Sequence, residues 1–343
     1  MARLYTSKVD LAILLGVQLS KQLQSPGRFA LRAFAIDQFG EKGSVHELDE
    51  PRPEDGQVRV KVEAASVNPA DLYMMKGAYK DFMEHRFPLV PGQDLGGVVD
   101  AVGAGVTELQ VGDQVFGNHG KQIVGEGTLA EYVIASPGTL ARRPASVDAP
   151  FGAALSLAGV SALQMVEAAD LQPGDVVLVI GAAGGIGSIV LQLAAASGAK
   201  PIAVTRAVNH DYARGLGATE TIDYTTQDVF ATVRAAHPDG IAAIFDQVGD
   251  KEANKRLAEL VRKGGRFFSM AGGADAETLA ARGIKAVNVR TQVTTDKLDR
   301  LAEDVEAGKL KRPEIRTFRL EDAVEAVTEI GSGHVRGKLV VAP

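Results

Sequence analysis

Residues 176–187, VVLVIGAAGGIG, limit the fold of this chain more than any other segment, because five apolar residues run directly into a loop of glycine and alanine. The short apolar run after Pro173-Gly174-Asp175 predicts a buried strand. Ile186, Ile189, Val190 and Leu193, spaced near 3.6, predict a helix that Gly198 stops. Gly184 and Gly187 let the backbone approach a ligand and let the helix pack on its strand. The first-turn N–H groups and the helix dipole then face an anion, most often a dinucleotide pyrophosphate. With Ala182 in the leading position the fingerprint is imperfect, and taken alone it also fits a corner that merely joins strand to helix. Ala182, Ala183, Gly184, Gly185, Ile186 and Gly187 are the candidate cofactor contacts of this loop.

The surroundings favour the binding loop. Residues 201–205, 241–246 and 265–270 read as further strands, each preceded by a helical or turn-rich segment. This alternation predicts a parallel, doubly wound sheet. Upstream, the strict alternation of residues 58–63, VRVKVE, marks a half-buried strand. Strands are also expected at 30–36, 97–102 and 132–134, with turns at Asp55-Gly56, Val111-Gly112-Asp113 and Pro137-Gly138. A compact, barrel-like β domain is the expectation for residues 29–150. Residues 151–291 then form the dinucleotide-binding domain, and 292–343 return to the first domain through a helix at 298–310, a strand at 314–318, a helix at 320–330 and a strand at 338–341.

Composition removes several chemistries. The 343 residues suffice for two domains, and 45% hydrophobic with 23% charged content is ordinary for a globular protein. A net charge of -6 argues against nucleic acid or an anionic membrane surface as partner. Without cysteine there are no disulfides, thiol nucleophiles, thiolate zinc sites or iron–sulfur clusters. The six histidines, His46, His85, His119, His210, His237 and His334, show no metal-ligand spacing and are expected at the surface or in loops. His119 differs in lying within a glycine-flanked loop that can border a pocket. No run of 18 apolar residues predicts a membrane span. Residues 1–28 superficially resemble a signal peptide, but Asp10, a brief apolar stretch and the lack of an A-x-A site favour an amphipathic helical extension and a cytoplasmic protein.

Several segments in order, Ser66-Val67-Asn68-Pro69-Ala70-Asp71, residues 91–99 (PGQDLGGVV), residues 111–117 (VGDQVFG), the 176–187 loop and Arg336-Gly337-Lys338, together resemble the medium-chain dehydrogenase/reductase superfamily, in its zinc-free, ζ-crystallin-like quinone oxidoreductase branch. The resemblance implies a GroES-like β-barrel catalytic domain beside a Rossmann domain, and a homodimer. In zinc-dependent relatives a cysteine and a histidine hold the catalytic metal. Asn68 and Gln93 stand at those places, and neither amide is a credible zinc ligand. Without a Lewis acid, alcohol oxidation is disfavoured, whereas a quinone or an activated C=C bond accepts hydride unaided.

An NAD site needs an acidic side chain at the end of the second strand. Here that strand ends in Thr205-Arg206-Ala207 and Asp211 falls in the following helix. Arg206 is suited to a 2′-phosphate, so NADPH is the expected cofactor; a solvated surface arginine is the alternative. By resemblance, Tyr224 lies beside the adenosine phosphate. Asn209 stands near a basic family contact, which it does not reproduce. Ser269, Met270, Ala271, Gly272 and Val289 flank the nicotinamide, and Lys338 reaches the pyrophosphate.

At the reacting end, Tyr73 either hydrogen-bonds the acceptor oxygen or forms the cleft wall. Asn68 either orients substrate or caps the helix starting at Pro69. Ser161 stands where relatives often carry a threonine near the nicotinamide, a place that also suits simple packing. The leading expectation is hydride transfer from NADPH to a small-molecule quinone. An enone double-bond reductase is the alternative, and a non-catalytic, crystallin-like NADPH-binding protein is the alternative of another class.

Overall fold

The strand Val176–Ile180 sits at the centre of a six-stranded, wholly parallel sheet. In the computed structural model, which describes residues 30–121, 123–249 and 251–343, its order is Glu220–Ile222, Lys200–Val204, Val176–Ile180, Ile241–Asp246, Val261–Ser269 and Lys285–Asn288. This is the doubly wound order in which the chain reverses direction beside the first strand, leaving a crevice at the carboxyl ends of the strands. Ile241–Asp246 is buried at every position, as a central strand covered on both faces must be. The helix predicted after the glycine loop spans Gly185–Ala196, and Gly198 stops it with φ +79°.

A second, seven-stranded sheet and two short strand pairs form the GroES-like part. Val58–Val67 is its hub, antiparallel to Asp94–Val102, Tyr132–Ala135 and the terminal strand Lys338–Ala342. Ile315–Arg319 pairs parallel to that last strand, so the C-terminal segment completes the sheet that Val58–Val67 begins. The expected helical extension at 1–28 lies outside the described residues.

Ala149–Ala169 joins the two parts. Asp148 caps it by accepting from Phe151 N at 2.9 Å, and Pro150 occupies its first turn. By length and hydropathy this helix alone among the described residues could cross a membrane, but 83% of its most apolar window is buried inside the protein. Phe116 and Ala141 of the seven-stranded sheet share one apolar cluster with Phe151, Leu155, Val179, Val190 and Leu301. The core is therefore continuous from one part to the other.

Candidate active site

A cleft of about 490 Å³ opens at the carboxyl ends of the central strands. Gly181 makes the turn out of the first strand with φ +72°. The glycine that permits the corner is thus Gly181, one residue before the Ala182 assigned from spacing; Ala182 is fully buried beneath the loop. Gly184 caps the helix, and its own Cβ would meet only Gly181 O, at 3.3 Å. A Cβ at Gly187 would lie 2.4 Å from Gly181 O and 2.8 Å from Ala182 Cα, so only glycine lets the helix sit this close to the turn. The outcome is a Gly181-x-x-Gly184-x-x-Gly187 cradle with the helix N-terminus exposed to the cleft.

Ala183, Gly184, Thr205, Arg206 and Tyr224 all line this cleft, together with Asn209. Arg206 donates to His334 O at 3.4 Å and pairs with no carboxylate among the described residues. Asp223 turns its carboxylate to the backbone N–H and hydroxyl of Thr225, at 3.0 and 2.7 Å. Ile180, Val204, Val229 and Leu257 supply an apolar wall. Sequence reasoning missed Asp246 and the 333–335 loop, which also line it. Asp246, 1% exposed, accepts from Val248 N, Gly249 N, Asn254 Nδ2 and Ser269 Oγ. It thereby fixes the loop after its strand.

Ser269 is buried beneath Asp246, Met270 N donates to Asp246 O, Ala271 packs against Gly249 and Gly272 turns with φ +76°. Val289 N donates to Ser269 O at 2.8 Å. These five residues stand at neighbouring strand ends but outside the lining of the 490 Å³ cleft. Gly185 and Ile186 begin the cradle helix.

Lys338 departs from its expected place. A parallel bridge between Gly184 and Gly337, with Gly337 N donating to Ala183 O at 2.8 Å, brings it to the glycine loop. Its stem lies so close to Gly185 that a Cβ there would sit 2.5 Å from Lys338 Cδ. The ammonium then turns away from the cleft, donating to Asn68 Oδ1 at 2.7 Å and Val67 O at 3.1 Å. Two buried carboxylates draw it there.

Asn68 stands at the N-cap of the helix Pro69–Met75, paired with Asp71 in a capping box, and its side chain also serves the cluster. Its Nδ2 donates to Asp94 Oδ2 at 2.8 Å, while Asp71 Oδ2 accepts from Asn68 N at 2.7 Å. Burial pushes the Asp71 carboxyl up to about 7, opposed by the Asn68 N–H and reinforced by the Asp94 charge. Burial also raises Asp94, to about 6, against the pull of Lys338 and the Asn68 amide. Lys338 is itself pushed down by desolvation, with both carboxylates opposing.

Tyr73 lies on the same helix and is 53% exposed. Ser161 is fully buried; its hydroxyl donates to Leu157 O at 2.7 Å and contacts Thr291 Oγ1 at 2.6 Å. The packing role fits this geometry, because no free edge of that hydroxyl faces a cavity. His119, which the sequence sets apart in a loop able to border a pocket, is buried and borders a smaller cavity.

Residues 54–145 match the alcohol dehydrogenase GroES-like domain, and residues 216–341 match the zinc-binding dehydrogenase family. The chain is 33% identical over 304 residues to a 2-methylene-furan-3-one reductase of Solanum lycopersicum, covering 85% of this chain and 73% of that protein. It is 31% identical to an NADPH-dependent alkenal/one oxidoreductase, chloroplastic, of Arabidopsis thaliana, with 85% and 74% covered. The expectation of a cytoplasmic protein draws no support from a relative so named. Among solved structures, the quinone oxidoreductase from Coxiella burnetii superposes with a TM-score of 0.82 at 30% identity, over 92% of this chain and 99% of that one.

Proposed function

The chain belongs to the medium-chain dehydrogenase/reductase superfamily, in its quinone oxidoreductase branch, and on that premise we propose that it reduces small quinones or α,β-unsaturated carbonyls with NADPH and without a metal. One observation carries the cofactor assignment: Arg206 lines the cleft at the end of the second strand and is paired with no carboxylate among the described residues. A 2′-phosphate is the anion that a free guanidinium at this place suits.

The bound nicotinamide supplies the hydride. The chain supplies the rest: the Gly181–Gly187 cradle and helix N-terminus hold the pyrophosphate, and Ile180, Val204 and Leu257 offer an apolar surface to the adenine. Thr205 and Tyr224 border the phosphate end. Ser269, Met270, Ala271, Gly272 and Val289, at the neighbouring strand ends, border the nicotinamide side. Tyr73, exposed on its helix, is the residue available to donate toward an acceptor oxygen as charge develops.

Zinc does not suit this chain, although one matching family is described as zinc-binding. Asn68 offers an amide already engaged by Asp94 and Lys338, Gln93 offers another, and no group of three His, Cys, Asp or Glu that could hold a metal occurs among the described residues.

The test is anaerobic oxidation of NADPH and NADH with para-quinones, ortho-quinones, 2-alkenals and 2-enones. NADPH turnover with at least one class is expected. Binding of NADPH with no turnover on any acceptor would favour a crystallin-like binding protein, and a wide preference for NADH would overturn the cofactor assignment. The names of the two plant relatives favour the enone and alkenal arm. A homodimer is the assembly proposed for it by analogy with the branch, tested by sedimentation.

A further inference from the structure

The helix Lys251–Leu257 follows the central strand Ile241–Asp246 and turns Ala253, Asn254 and Leu257 to the 490 Å³ cleft. Leu257 belongs to the apolar wall, with Ile180, Val204 and Val229. Asn254 sets an amide into that wall and is only 3% exposed. A polar side chain buried this deeply costs stability unless its hydrogen bonds are made. Half of the Asn254 amide meets that demand.

Its Nδ2 donates to Asp246 Oδ2 at 2.7 Å. This bond fixes which way the amide faces, because turning it over would put Oδ1 against a carboxylate oxygen, acceptor against acceptor. Asp246 cannot swing away to relieve that contact. Its two oxygens also accept from Val248 N, Gly249 N and Ser269 Oγ. Gly273 holds the nitrogen from another direction: a Cβ there would lie 2.4 Å from Asn254 Nδ2, so the loop after Ser269 rests on the amide only because this residue is glycine. Gly273 does not line the cleft but borders a hollow of about 50 Å³ that Asn254 also touches. The nitrogen therefore marks the far side of the amide, and the oxygen is the end that the cleft meets. Oδ1 has no hydrogen-bond partner among the described residues and is not among their fully occluded unpartnered atoms.

We propose that Asn254 selects the base of the cofactor, its Oδ1 accepting a hydrogen bond from the 6-amino group of adenine while Ile180, Val204 and Leu257 flank the ring. The inference rests on the dinucleotide reading above and deepens it at the base end. Adenine presents a donor at its 6-position, whereas a 6-oxopurine presents an acceptor there. Against Oδ1, that oxygen would leave a buried acceptor unpaired, so dinucleotides of hypoxanthine or guanine are disfavoured. Asp246 stands behind this contact as the positioning residue that turns the oxygen, and not the nitrogen, toward the ligand.

The test titrates the full-length protein with NADPH and with reduced nicotinamide hypoxanthine dinucleotide phosphate, which carries an oxygen in place of the 6-amino group, by the dihydronicotinamide fluorescence that both share. Wild type is expected to bind NADPH about tenfold more tightly than the hypoxanthine analogue. Asn254→Leu should bring the two within about twofold, chiefly by weakening NADPH. Asn254→Ala, which adds no bulk, carries the same comparison if the leucine variant does not fold. The ratio is internal to each protein, so a general loss of stability does not move it. NADH against its own hypoxanthine counterpart should give the same ratio, because the contact is independent of Arg206. Equal affinity of wild type for the two bases, or an undiminished preference in the Asn254 variants, would overturn the inference and leave the cofactor reading standing. Failure of wild type to bind either NADPH or NADH would refute the cofactor reading itself, and the inference with it.

Discussion

Replacing Arg206 by alanine should cost affinity for NADPH and leave affinity for NADH nearly unchanged. Arg206 faces the cleft with one weak internal bond, to His334 O at 3.4 Å, so its removal strands no buried partner and should spare stability. A hydrogen bond to a charged group contributes about 1.5–3 kcal/mol, which corresponds to a rise of roughly 10- to 150-fold in the Kd for NADPH. The guanidinium is open to water, so the lower end is the expected value. Parallel fluorescence titrations of NADPH and NADH on wild type and Arg206→Ala measure it. Added salt should weaken NADPH binding to wild type and have less effect on the variant, because the lost pair is screened by ions. Equal losses for NADPH and NADH would refute the assignment of Arg206 to the 2′-phosphate. A large fall in melting temperature would show instead that the side chain supports the 333–335 loop.

Gly187→Ala should destabilise the loop by about 1–3 kcal/mol, as overpacking does, because both atoms its Cβ would strike are backbone; a thermal shift assay and a cofactor titration should both register it, and an unchanged melting temperature would contradict the close approach. Tyr73→Phe should lower turnover more than NADPH affinity and leave stability within about 0.5 kcal/mol; unchanged turnover on every acceptor would reduce Tyr73 to cleft wall. Asp71, raised to about 7 from the unfolded value of 3.8, makes the native state hold more protons than the unfolded chain within that window, so its contribution is fully present at low pH and is lost as pH rises through it. Relative to wild type, Asp71→Asn should therefore gain stability in urea titrations as pH rises from about 4 to about 7 and hold that gain above it, and a difference independent of pH would refute the raised value. Incubation with a strong chelator should leave turnover intact, and loss of most activity that zinc restores would overturn the metal-free reading.

The sequence is most legible where short-range patterns determine geometry. The central strand, the glycine turn and the helix after it follow from an apolar run and from 3.6 periodicity, and both the parallel sheet and the C-terminal return follow from the order of such segments. The misplaced leading glycine shows the limit of spacing. Ala182 and Gly181 both precede Gly184 at plausible distances, and only φ, +72° at Gly181, decides which residue makes the turn. Lys338 shows a different limit. The family resemblance implies that it reaches the pyrophosphate, but its direction is set by carboxylates about 240 and 270 residues earlier in the chain. Nothing local to residues 336–338 encodes that. Likewise, Asp71 and Asp94 are visible as motif letters, while their complete burial follows from three sheet strands and the long helix meeting over them.

That burial constrains the charge of the cluster. Two carboxylates and one ammonium taken out of water are tolerated when their charges cancel, since an uncompensated buried charge costs several kcal/mol. With Lys338 protonated, one of the two acids must hold a proton. Asp94 has the better claim to its charge: it accepts from Asn68 Nδ2 and Leu157 N and is drawn down first by Lys338. Asp71 has one oxygen bonded to Asn68 N and the other, Oδ1, buried without a partner. An unbonded oxygen is far less costly on a neutral acid than on a carboxylate. The arrangement is therefore a neutral unit of Lys338, charged Asp94 and protonated Asp71, with Asn68 between ammonium and carboxylate. It commits both ends of the Asn68 amide, Oδ1 to the ammonium and Nδ2 to the carboxylate, so the side chain is held by the cluster instead of being offered to a metal.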